Sequence, residues 1–110
     1  MNAPPPLDES EFHQRVDAVL AAIEAQLEAH DGFDCDVNGG ILDIEFDNGS
    51  KVIINRQTPN REIWVAAKSG GFHFRFDGAG WHDTRSQEAL AALLAKVIGE
   101  QGGVDIAITL

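Results

Sequence analysis

The sequence predicts an α+β fold, a two-layer sandwich with N- and C-terminal helices packed on one face of a roughly six-stranded antiparallel sheet. Three observations lead there. Apolar residues near both ends recur with a helical period. Between them, apolar and polar residues alternate in short runs, the period of half-buried strands. Turn signals rich in Gly, Asn, Asp and Pro separate those runs about every ten residues, as in a meander.

Residues 1–7, with Pro4-Pro5-Pro6, read as a stiff, disordered lead-in, and residues 8–110 as a single domain. Residues 8–30 form the first helix. Asp8 is its N-cap, with Glu11 three residues on, and Phe12, Val16, Val19, Leu20, Ile23 and Leu27 make its apolar stripe. Asp31-Gly32 stops it. Phe33, Cys35 and Val37 alternate with Asp34, Asp36 and Asn38 in a first strand. Asn38-Gly39-Gly40 is a hairpin signal, after which Leu42, Ile44 and Phe46 alternate with Asp43, Glu45 and Asp47. Further strands are expected over 51–57, 62–67 and 72–76, the last after a turn at Ser69-Gly70-Gly71, with a short piece around Trp81. Ser86 is read as the cap of a second helix bearing Leu90, Leu93, Leu94, Val97 and Ile98 on one face. Val104, Ile106, Ile108 and Leu110 read as an extended tail packed on the helices.

Composition narrows the function classes. No apolar run approaches the length of a membrane helix, and the N-terminus resembles neither a signal nor a transit peptide. A single cysteine, Cys35, permits no intrachain disulfide and no cysteine zinc cage, which fits the cytoplasm. Eighteen acids against eight bases give a net charge of −10. Such a chain is expected to avoid nucleic acid and anionic membrane, and to meet cations or basic protein surfaces. Residues 1–48 hold twelve acids and one base, Arg15, leaving −11 there and a nearly neutral remainder.

At about 100° per helical residue, Asp17, Glu24, Glu28 and Asp31 fall on one stripe, joined by His13. The stripe borders the apolar face, so it lies against the following strand, where Asp34 and Asp36 point outward. Helix and strand thus form one carboxylate ridge. Oxygen donors on an open surface suit Fe, Mn, Mg or Ca bound weakly. The same pattern serves as a solvated face that keeps the chain soluble, and the two roles coexist.

With both helices on one face, the other face of the sheet is open. If Ile63 and Val65 point to the helices, Trp64 points outward, and Asn55, Gln57 and His73 share its face. Trp64 is then either an interface anchor or a ring lying flat over apolar atoms. Trp81 reads as a core lid, His30 as packed on the apolar side of its helix, and Cys35 as a small buried apolar residue. His82 has no visible partner. No Ser-His-Asp, Cys-His or paired buried carboxylates can be argued from spacing, so no catalytic residue is assigned.

Residues 55–74 carry Asn55-Arg56-Gln57-x-Pro59-x-x-Glu62-x-Trp64-x-Ala66-x-Lys68-x-Gly70-Gly71-x-His73-Phe74, which resembles the frataxin signature. Asp34-Cys35-Asp36-Val37-Asn38-Gly39-Gly40, followed by Phe46-x-Asn48-Gly49-Ser50-Lys51, resembles the bacterial branch of that family. The resemblance covers about residues 10–100 and implies the same two-helix, one-sheet fold. It implies iron, ferrous or ferric, weakly bound at Asp17, Glu24, Glu28, Asp31, Asp34 and Asp36, with other divalent cations competing. It also implies docking on the cysteine desulfurase and scaffold protein that build iron–sulfur clusters, with Trp64 in the sheet-face contact. A monomer is the default expectation, and the sequence leaves open whether it forms oligomers with iron. Family members have been suggested as ferroxidases, but the buried dinuclear Glu-x-x-His pair of bundle enzymes is lacking here. Ala25 and Ala29 stand where relatives often carry a second acid, and the turn Asp31-Gly32-Phe33 is shorter, so the ridge is thinner.

Overall fold

Asp8 caps the first helix as its position predicts, its Oδ1 accepting the Glu11 N–H at 2.8 Å. The computed structural model describes residues 7–110; most of the expected proline-rich lead-in lies outside the described residues. The elements run α1 (Glu9–Glu28), β1 (Phe33–Asn38), β2 (Ile41–Phe46), β3 (Lys51–Gln57), β4 (Glu62–Ala67), β5 (Gly70–Phe76), β6 (Trp81–Asp83) and α2 (Leu90–Gly102). The six strands form one antiparallel sheet in sequence order, β1-β2-β3-β4-β5-β6. Gly39 and Gly40, with φ of 61° and 83°, make the tight β1–β2 turn, where both positions need the left-handed region.

Two-residue alternation decides which face each strand buries. Leu42, Ile44 and Phe46, Val52 and Ile54, Ile63 and Val65, and Phe74 point to the helices. They meet Phe12, Val16, Leu20, Ile23 and Leu27 of α1, and Leu90, Leu93, Leu94, Val97 and Ile98 of α2. Trp81 is buried against Phe12 and Phe76 and closes the core at the β6 end, as expected of a lid. The tail is strapped to α1: the Gln26 amide donates to the Thr109 carbonyl at 2.8 Å and accepts from the Thr109 N–H at 2.9 Å. Ile106 is buried beneath it.

Three expectations are corrected. Ser86 does not cap α2, whose N-cap is Ala89 with no side-chain bond. Asp83 instead folds the chain into a turn, its carboxylate accepting the Arg85 and Ser86 N–H groups, and Ser86 Oγ accepts from Glu88. The β4–β5 turn sits at Lys68-Ser69, so β5 begins at Gly70 rather than Phe72. His30 is exposed, because α1 ends at Glu28 and the chain turns away before its ring can pack.

Gly102 ends α2 directly over the Phe46 ring, where an added Cβ would overlap the aromatic carbons. Gly102→Ala should therefore cost about 1–3 kcal/mol, the range of an overpacked core. Urea unfolding measures it, and an unchanged midpoint would show that Phe46 yields freely.

Candidate functional site

The open sheet face carries charge in a pattern that pairing alone reveals. Asp34 lies opposite Glu45 and Asp36 opposite Asp43, like charges directly across β1–β2. Such pairs destabilise an antiparallel sheet. Lys51 Nζ, 3.5 Å from Asp43, answers only part of the repulsion. Asp43 and Glu45 join the acids expected from the sequence only through this register. Their alternation with Leu42, Ile44 and Phe46 was the available signal; the register that brings them to Asp34 and Asp36 was not.

β1 is an edge strand of the sheet and packs beside α1. The Cys35 thiol is pushed up to about 11, first by burial and then by Glu24, Glu28, Asp36 and Asp43. Helix and sheet carboxylates thus both act on one half-buried side chain, as separate charges rather than a closed cluster. Cys35 packs against the core edge, less deeply than expected. Asp31 follows the helix and is exposed, as are Asp34 and Asp36.

The other end of the ridge is occupied. Arg56 follows Val52 and Ile54 on the helix side of β3, and its guanidinium reaches α1. It bonds the Asp17 carboxylate and approaches His13 Nδ1 at 2.7 Å. A guanidinium has no acceptor, so Nδ1 must accept and the ring proton sits on Nε2. His13 and Asp17 are therefore tied to Arg56, apart from the acids at the Cys35 end. Among the described residues, no group of three or more His, Cys, Asp or Glu stands close enough to hold a metal ion.

Trp64 is half-buried on the outward face. Its ring stacks on His73, centroids 4.2 Å apart and 8° from parallel, and its indole Nε1–H donates to Glu62 at 2.8 Å. Asn55 and His73 flank Trp64 in the register, and Gln57 and Arg75 flank Glu62. All six share the outward face. Sequence pattern does not single out Glu62 or Arg75, because a strand-terminal Glu carries no sign of burial. His82, which had no visible partner, places Nδ1 2.8 Å from Asp77. The Asp77 carboxyl is held below its usual range by the Ala79 and Gly80 N–H groups, with His82 adding to the effect.

Comparison with known proteins places this geometry. The frataxin-like domain model matches residues 5–104. The chain is 50% identical over 107 residues to the iron–sulfur cluster assembly protein CyaY of Ralstonia nicotianae, covering 93% of this chain and 95% of that one. It is 46% identical over 108 residues to the protein of that name from Cupriavidus taiwanensis, covering 93% and 96%. The solved frataxin of Psychromonas ingrahamii superimposes with a TM-score of 0.88 at 33% identity, over 94% of this chain and all of that one. A trimeric frataxin of Saccharomyces cerevisiae, at 24% identity and a TM-score of 0.66, shares the fold over 94% of this chain and 87% of that one. The chain belongs to the frataxin-like family.

Proposed function

We propose that this chain regulates iron–sulfur cluster assembly in the cytoplasm, binding iron weakly at its acidic ridge and docking on the cysteine desulfurase and scaffold protein. The observation that carries this reading is the full-length likeness to relatives named for iron–sulfur cluster assembly. The two surfaces it needs have the right chemistry. Exposed carboxylates at Glu28, Asp31, Asp34 and Asp36, beside Glu24, offer hard oxygen donors. Trp64, Asn55, Gln57 and His73 offer an aromatic anchor with amides on an uncovered sheet face. The reading assigns no catalytic residue: the protein acts on the rate of a machine built by others. The deciding experiment is the rate of cluster assembly on purified desulfurase and scaffold, with and without this chain, at several iron levels. A rate indifferent to the chain at every level would end the reading.

One observation favours a second reading, in which the chain modulates the desulfurase by contact alone and metal is incidental. The ridge acids stand apart, without a cluster that could close around an ion. In that case the chain's effect would be the same with iron removed.

The iron arm has its own prediction. A divalent cation that binds the native state at ten times its Kd should add about 1.4 kcal/mol of stability and raise the melting temperature by several degrees. Replacing Glu24 and Glu28 by Gln and Asp31 by Asn together should also raise it, by removing repulsion, while abolishing the metal response. A triple variant less stable than the parent, with metal stabilisation intact, would place the site elsewhere.

A further inference from the structure

Glu62 is the anomaly of the open face. It opens β4, and alternation sets it beside Trp64 on the side away from the helices, yet it is only 4% exposed. A buried carboxylate is costly unless each oxygen is bonded. Here both are. One oxygen accepts the Trp64 indole N–H at 2.8 Å and lies 3.9 Å from His73 Nδ1. The other accepts from Arg75 Nη2 at 2.7 Å. The Trp64–His73 stack closes the arrangement.

The ring of contacts faces outward at its rim. The side chains of His73 and Arg75 are 47% and 62% exposed, against 6% for Glu62. Glu62 occupies one edge of the Arg75 guanidinium, and an arginine carries five N–H donors, so the others remain free for an acceptor outside. Long side chains held in place before contact lose less freedom when a partner arrives. At the opposite end of the same face stand Asp34, Asp36, Asp43 and Glu45. The face is therefore acidic over β1–β2, and at its other end Arg75 presents unused N–H donors while Glu62 balances its charge.

We propose that Glu62 is a positioning residue that holds Trp64, His73 and Arg75 as a preformed docking unit, and that Arg75 receives a carboxylate of the partner. The inference rests on the docking reading above and deepens it. A partner that places an acidic group at Arg75 and basic groups at the β1–β2 carboxylates can seat in only one orientation.

The test is binding kinetics of the full chain on immobilised, purified cysteine desulfurase with its scaffold protein, with melting curves for every variant. Arg75→Ala should speed dissociation about tenfold, as loss of a charge-assisted contact does. Glu62→Gln keeps an oxygen for the indole but frees Arg75, and should speed it about threefold to tenfold. Glu62→Ala releases both and should exceed that. The double variant Glu62→Gln with Arg75→Ala should dissociate no faster than Arg75→Ala alone, a non-additivity that a loss of general stability would not produce. Trp64→Ala is the control. Wild-type dissociation from Glu62→Gln and Arg75→Ala, with faster release of Trp64→Ala, would overturn the inference and leave docking in place. Wild-type rates for all three would overturn both. Should Glu62→Ala fail to fold, the Gln and Arg75 variants still decide.

Discussion

Trp64→Ala is expected to speed release from the desulfurase about thirtyfold or more, the equivalent of about 2 kcal/mol lost at a desolvated anchor. Its melting temperature should fall only modestly, because the ring is half-buried on the outer face and contributes nothing to the core between sheet and helices. Salt should not change the ratio, since the contact is apolar and stacked rather than ionic. Replacing Asp34 and Asp36 by Asn should do the reverse. Association should slow and its dependence on salt flatten, while dissociation stays close to wild type. Iron binding should survive Trp64→Ala, as an indole is no iron ligand. Surface kinetics at low and moderate salt measure all of this. Unfolding of the Trp64 variant, with unchanged binding per folded molecule, would make Trp64 structural and move the docking surface elsewhere.

The second large effect concerns Cys35. Its thiol rises from 9.0 to about 11 through burial and then through Glu24, Glu28, Asp36 and Asp43. Only the thiolate reacts with alkylating agents, so at pH 8 the folded chain should react with iodoacetamide roughly a hundredfold more slowly than the urea-unfolded chain. The folded value lies above the unfolded one, so the contribution is full below about 9 and is lost as pH rises through 11. Glu24→Gln with Glu28→Gln should restore part of the reactivity, and only part, because burial is the larger cause. A cation bound among those acids should do the same, so Cys35 alkylation would report one if it binds there. Equal alkylation of folded and unfolded chains would show that the thiol stands outside the acidic field.

Much of the architecture was legible from local pattern. Phe12 to Leu27 at helical spacing, and Leu42, Ile44 and Phe46 at strand spacing, name the buried faces because one side of each element must leave water. Gly39-Gly40 names its turn because only glycine adopts those angles cheaply. The start of α2 was not legible. Ser86 has the chemistry of a cap, but Asp83 captures the same stretch of backbone first.

The sequence by itself determined that the chain is acidic, that the acids gather in its first half, and that Trp64 takes the strand face opposite Ile63 and Val65. Tertiary structure alone decided which charges meet. Asp17 and His13 are joined to Arg56, thirty-nine and forty-three residues away in the chain. Asp34 and Asp36 acquire Glu45 and Asp43 as neighbours through a strand register. Glu62 becomes a buried hub because Trp64 and Arg75 close over it from its own strand and the next. Periodicity reports which face a side chain takes, since that depends on backbone geometry within a few residues. The electrostatic partner of a side chain depends on the pairing of distant segments, which the hydrophobic core sets, and no local spacing records it.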